Sequence, residues 1–188
     1  GLLTPDGLFV FEVSYLLDVV NDTLFDTVYH EHLSYHAVRP LEAFFRRHDM
    51  ELIDVRRVPT HGGSLRGTVQ VAGGPRKVSP SVAEMGRIEE EFGLQRADTL
   101  TSFAARIEDL KLRLSRLVSG LKAEDRAIAG FGAPAKATTL LHHLDLGGVI
   151  DFIVDDSPLK QGLFTPGHHI PVLPAPAMYA RRPDYVLI

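Results

Sequence analysis

The sequence contains no cysteine and no tryptophan in 188 residues. The first absence removes disulfides and thiolate metal ligands from the chemistry open to these residues, and it agrees with a cytoplasmic protein. No apolar run reaches the ~18–20 residues that a bilayer-spanning helix needs, so no membrane partner is expected. An excess of positive charge is lacking too. The 24 acidic residues outnumber 20 Lys and Arg, for a formal net charge of −4, and the arginines are scattered. Nucleic-acid binding would want a basic patch, so no nucleic-acid partner is expected. Low-complexity tracts and internal repeats are missing. What remains is 45% apolar and 23% charged, the balance of an ordinary globular protein long enough for one large core or two small ones.

The patterning predicts an α/β protein. Residues 1–7 read as a turn feeding a strand at 8–13, after which Ser14 is placed to cap a short helix carrying Leu16, Leu17, Val19 and Val20. A second helix sets Val38, Leu41, Phe44 and Phe45 on one face at helical spacing. Strands are expected at 51–58 and 65–71, joined directly and therefore antiparallel. Gly73-Gly74-Pro75 punctuates the chain, and 81–122 reads as a charged helical stretch with an apolar stripe of Phe103, Ile107, Leu110, Leu114 and Leu117. From residue 126 strand and helix alternate to the end, which argues for a parallel sheet with right-handed crossovers. The first strand calls for neighbours earlier in the chain and the last stops in mid-pattern, so we expect a piece of a longer polypeptide.

Tyr29-His30-Glu31-His32 sets a phenol, two imidazoles and a carboxylate side by side, and Leu33-Ser34-Tyr35-His36 continues the run. Histidine exchanges protons near neutrality, with an unperturbed pKa of ~6.5. Two readings stand for the cluster, a proton-transfer centre and a solvated loop. Ser34 as a nucleophile has no Gly-x-Ser-x-Gly elbow around it. His61-Gly62-Gly63-Ser64, with Arg66 close behind, lines a pocket or makes a hairpin turn. Gly130-x-Gly132-Ala133-Pro134-Ala135-Lys136 lies between a strand and a helix, where backbone N–H groups meet phosphate, with Asp155 and Asp156 about twenty residues on. Pro134 removes one of those donors, and Lys136 adds a point charge suited to phosphate. A nucleotide-like phosphate, a domain contact and a simple tight turn all remain open, and hydride transfer is not implied. Asp155 and Lys160 follow the next strand at the sheet edge where ligands bind. His168-His169 sit in a Pro-Gly turn, and adjacent side chains rarely converge on a metal, so no metal site is expected.

In order and spacing, Phe11-Glu12-Val13-x-Tyr15-Leu16-Leu17, Tyr29-His30-Glu31-His32-Leu33-Ser34-Tyr35, His61-Gly62-Gly63-Ser64-Leu65-Arg66, the Gly130 loop, Lys160-Gln161-Gly162 and Pro166-Gly167-x-His169-Ile170-Pro171 resemble one family. It is the S-adenosylmethionine-dependent C-methyltransferases that act on dTDP-linked 4-keto deoxysugars. Ser14 and Ala137 replace residues usual in that family, Pro and Gly. The resemblance implies that residues 1–72 are the C-terminal half of a class I methyltransferase domain, 73–122 a helical connector and 123–188 most of a Rossmann-like C-terminal domain. It places the adenosylmethionine glycine loop and a Cys-rich zinc segment outside this sequence.

By the same resemblance His32 is the base that takes the proton beside the 4-keto group. Glu31 orients its imidazole and Tyr29 donates to the developing oxyanion. The substrate, a nucleotide-linked sugar, is expected against His61, Gly130, Gly132, Ala133, Lys136, Asp155 and Lys160. Two other classes stay open: a nicotinamide-dependent sugar-nucleotide oxidoreductase using the Gly130 loop, and a non-catalytic sugar-nucleotide-binding domain. The sequence leaves the oligomeric state unassigned.

Overall fold

The computed structural model describes residues 3–188. The expected opening turn is present from Leu3 on, closed by Gly7 N–H donating to Thr4 O at 2.9 Å, whereas Gly1 and Leu2 lie outside the described residues. The chain forms two compact units. One comprises the residues up to Phe25 together with His32–Ala105, and the other Asp26–Glu31 together with Arg106–Ile188.

In the first unit, β1 (Phe9–Ser14), β2 (Met50–Val58) and β3 (Ser64–Val71) make a three-stranded sheet in the order β1-β3-β2. The direct β2–β3 connection is antiparallel, as its length requires, and β1 also runs antiparallel to β3. Thus β1 and β2 point the same way. Their carboxyl ends meet the start of β3, since Ser14 and Val58 both register with Ser64. Helix α1 (Leu16–Asn21) starts from Tyr15 with no side-chain cap, not from a capping Ser14. Ser14 is still inside the ladder opposite Ser64, and sheet pairing overrides its capping preference.

Helix α2 (Val38–Arg47) buries Val38, Leu41 and Phe45. Phe44, expected on that face, is 53% exposed. Adjacent positions on a helix diverge by about 100°, and Phe45 occupies the core-facing slot. The Phe9, Phe11 and Phe45 rings pack at 5.5–6.5 Å between centroids. The helical stretch after residue 80 is two helices, α3 (Pro80–Phe92) and α4 (Ala97–Ala123). Gly93 separates them in the left-handed conformation, its N–H donating to the carbonyls of α3's last turn. Leu94 then drops into the core with Val82 of α3.

The second unit is a parallel sheet in the order β6-β5-β4-β7, from β4 (Ile128–Phe131), β5 (Phe152–Val154), β6 (Val172–Leu173) and β7 (Tyr185–Leu187). Helix α5 (Ala135–His143) joins β4 to β5, and α6 (Pro176–Arg181) precedes β7. The protein is α/β, with one antiparallel and one parallel sheet. Of the expected α4 stripe, Ile107 is buried and Phe103 and Leu114 are partly covered, while Leu110 and Leu117 stay 39% and 59% exposed. Contact passes instead to Val118 and Leu121. Phe103 packs in the first unit's core, whereas Leu114, Val118 and Leu121 pack in the second's, so one unbroken stripe does not describe the helix. Among the described residues, no helix is long and apolar enough to cross a membrane.

Candidate functional site

Two local sites emerge, one in each unit. In the first, everything gathers at the carboxyl ends of β1 and β2. The connection between β2 and β3 is a short 3-10 turn, Thr60–Gly62, in which His61 takes a positive φ of 52°. Positive φ is uncommon for non-glycine residues, and His is among the types that adopt it more readily. His61 is exposed. It lies within electrostatic reach of Glu12, whose carboxylate receives both Nε and an Nη of Arg66 at 3.0 and 2.8 Å. Hydrogen bonds from Arg66 and the Thr60 hydroxyl hold the Glu12 carboxyl below the ordinary range against the opposing effect of burial, with the charges of Arg66 and His61 adding to the lowering. Gly63 closes the turn, its carbonyl accepting from Tyr15 N–H at 3.3 Å. A side chain at Gly63 would run into the carboxylate of Asp18.

Asp18 was not expected from the sequence. It is 1% exposed on α1, between apolar neighbours, and it pairs with Arg57 at the end of β2. The legible signal was a lone acid inside Leu16-Leu17-Asp18-Val19-Val20. Glu89 was also missed, since nothing in the run Glu89-Glu90-Glu91 marks the one that turns inward. It is 3% exposed and accepts the Tyr15 hydroxyl at 3.1 Å.

The motif 29–36 is irregular in structure, following a 3-10 turn at Phe25–Thr27. The Tyr29 hydroxyl donates to Glu31 Oε2 at 3.1 Å, and His30 Nε2 is 3.9 Å from Glu31 Oε1. These residues belong to the second unit, and the unit boundary falls between Glu31 and His32. His32 is half-buried, with its ring edge-on to Tyr35 at 6.5 Å between centroids. The end of the motif is fastened to the first unit's sheet. His36 forms a parallel bridge with Tyr15, and its carbonyl accepts Leu16 N–H at 2.9 Å. Burial lowers the pKa of His36 and keeps its imidazole neutral.

The second unit carries the glycine loop at the carboxyl end of β4, next to the point where the strand order reverses. Each expected ligand of phosphate has an internal partner. Gly130 is buried, with its Cα facing Ile153 of the adjacent strand, so its small size serves close strand packing. Gly132 N–H donates to Val154 O at 2.7 Å, and Ala133 N–H to Asp155 Oδ2 at 2.7 Å. Asp155 is 8% exposed and further accepts Ser157 N–H at 2.8 Å and Lys160 Nζ at 3.1 Å. Burial pushes the Asp155 pKa up, but these donors outweigh it and hold the carboxyl below the ordinary range. Lys136, in the first turn of α5, pairs with Asp26. The chain's own carboxylate thus fills the seat where a ligand anion would lie. The same contacts engage the acid that a dinucleotide site would turn toward a ribose.

The sequence-selected residues therefore fall into separate groups: Tyr29 with Glu31, Ala133 with Asp155 and Lys160, and Lys136 with Asp26. His32 and His61 lie in the first unit. A profile of the C-methyltransferase C-terminal domain family matches residues 59–188. The chain belongs to that family. It is also 38% identical over 189 aligned residues to the C-methyltransferase NovU of Streptomyces niveus, a match covering 100% of this chain and 45% of that protein. The chain thus spans a little under half the length of that relative. The family match takes in the second unit's parallel sheet and glycine loop as well as β3 and α3, and it begins after the motif at 29–36.

Proposed function

We propose that the full-length protein carrying this sequence methylates a carbon of a nucleotide-linked 4-keto deoxysugar, with S-adenosylmethionine as methyl donor. The observation that carries the reading is the Tyr29–Glu31 hydrogen bond immediately before His32, in a chain of a C-methyltransferase family. It supplies a phenol, a carboxylate and an imidazole in one short segment, the groups needed to remove a proton beside a ketone. Residues 1–72 are, in this proposal, the C-terminal half of the methyltransferase domain, 73–122 the connector and 123–188 the C-terminal domain.

The residues described here do not fit the methyl donor. The glycine loop after β4 has its Gly132 and Ala133 donors engaged by Val154 and Asp155, so those two N–H groups are not offered to a ligand. The steps assigned to this chain are therefore those of the sugar. The ketone acidifies the hydrogen on the neighbouring carbon, and the His32 imidazole accepts that proton as the electron pair moves onto the ketone oxygen. Tyr29 releases its bond to Glu31 to donate to that oxygen, and Glu31 then orients the imidazolium. General-base catalysis of this kind contributes ~10²–10⁴-fold. His61, Lys136 and Lys160 are the polar contacts proposed for the sugar nucleotide. A cytoplasmic location follows from the substrate class.

Incubating the full-length protein with methyl-labelled S-adenosylmethionine and a dTDP-linked 4-keto-6-deoxysugar tests the reading. Label on a ring carbon of the sugar is the expected result. Label on oxygen or nitrogen, or none with any 4-keto sugar nucleotide, would overturn it.

A further inference from the structure

The first turn of α2 has no cap of its own. Its N-cap residue, Ala37, carries no side-chain acceptor, Pro40 has no N–H, and Leu41 N–H already donates to Ala37 O at 3.2 Å. The donors left over are those of Val38 and Arg39. Both go to one side chain, Glu89 of α3, at 2.6 Å to Oε1 and 3.4 Å to Oε2. Oε1 also accepts the hydroxyl of Tyr15, which is 0% exposed. Burial first, then the neighbouring Glu89 and Asp18 carboxylates, push the Tyr15 pKa up, so it stays a donor. One buried carboxylate thus joins three elements separated by 74 and 51 residues along the chain.

Those elements meet at the end of the His-rich motif. Tyr15 bridges to His36, Leu16 N–H holds the His36 carbonyl, and Val38 begins the helix two residues later. A Leu or Gln would pack this position at less desolvation cost than a Glu. The carboxylate's particular virtue is that two acceptor oxygens face the positive end of a helix and a phenol at once. We infer that Glu89 and Tyr15 are positioning residues that fix the register of residues 32–36, and with it the placement of the His32 imidazole. This rests on the functional reading above only for its catalytic consequence.

Amide hydrogen exchange and steady-state kinetics on the full-length protein test it together, with Glu89→Ala, Glu89→Gln and Tyr15→Phe. Glu89→Ala should speed exchange in peptides covering 32–39 on the order of tenfold or more, the signature of easier local opening, and leave peptides of β4 and α5 unchanged. Its kcat for methyl transfer should fall on the order of 10–100-fold at nearly constant KM, the loss expected from a misplaced base. Glu89→Gln keeps an acceptor for Val38 and should recover most of both, and Tyr15→Phe should fall between. If Glu89→Ala does not fold, the other two variants still decide. Unchanged exchange in 32–39, or a lowered melting temperature with kcat intact well below it, would overturn the inference. Faster exchange in a wild-type background that methylates no 4-keto sugar would leave the clamp standing and sink the reaction assignment instead.

Discussion

The Asp155 carboxylate accepts the backbone N–H of Ala133 at 2.7 Å, so the glycine loop after β4 is closed by the acid that follows the neighbouring strand β5. Ser157 N–H and Lys160 add two more bonds to that acid. Replacing Asp155 by Ala strands two backbone donors and an ammonium. It should cost about 2–4 kcal/mol of stability, as expected for losing several charge-assisted hydrogen bonds at a buried site. Urea denaturation of wild type and variant checks this. A change below about 0.5 kcal/mol, the scale of an ordinary surface substitution, would mean the loop does not depend on its internal anion.

The same site makes a pH prediction. A carboxyl whose folded pKa lies below its unfolded value stabilises the fold fully above the unfolded pKa of ~3.9, and that stabilisation is lost as pH falls through the folded pKa. Asp155 therefore contributes to acid unfolding below about pH 4. His36 acts at higher pH with the same sign. Burial lowers its pKa, so the unfolded chain takes up the proton first, and stability drops as pH falls below ~6.5. Melting temperatures of wild type and His36→Gln between pH 7.5 and 5 should show the shallower slope in the variant. Parallel curves would remove His36 from the account.

Asp18 is buried while its partner Arg57 is 48% exposed at the side chain. Arg57→Gln should destabilise by about 1–3 kcal/mol, less than the 3–5 expected when a fully buried pair is broken, because solvent screens the exposed half. Arg57→Gln combined with Asp18→Asn should recover part of that loss. A double-mutant cycle measures the coupling, and strict additivity would contradict the pairing.

Lys136 separates two roles cleanly. If it meets the sugar-nucleotide diphosphate, Lys136→Ala raises KM more than it lowers kcat, while Asp26→Asn leaves KM near wild type. If its task is the ion pair with Asp26, the two variants change the same parameter by similar factors. We expect the first pattern from the full-length enzyme. Matching kcat defects in both variants would reassign Lys136 to holding the segment before Tyr29.

The strands and helices were largely legible because period-2 and period-3.6 apolar patterns report burial directly. The antiparallel β2–β3 pair and the parallel second sheet both follow from connection length. What the sequence hid were partnerships across long separations. Glu89 looks like its two neighbours until α2 is seen to lack a cap. Gly130 and Gly132 read as a phosphate loop because the pattern is the same whether the anion is a ligand or Asp155. Ser14 and Phe44 failed for a simpler reason, since local preference and one-face counting yield to sheet pairing and to the neighbour that reaches the core first. The Tyr29–His32 cluster stands out in the sequence because so many titratable groups in a row serve no packing purpose, and both readings of it, proton-transfer centre and solvated loop, start from that same observation.

In the proposed reaction His32 removes the proton beside the ketone. Hydrogen exchange at that carbon, followed by proton NMR of a 4-keto sugar nucleotide in D₂O with the full-length protein, tests it apart from methyl transfer. Wild type should wash the hydrogen out, and His32→Asn, which keeps a polar side chain but no basic nitrogen, should not, while still binding the sugar nucleotide. Exchange and methylation by His32→Asn at near wild-type rates would contradict the account.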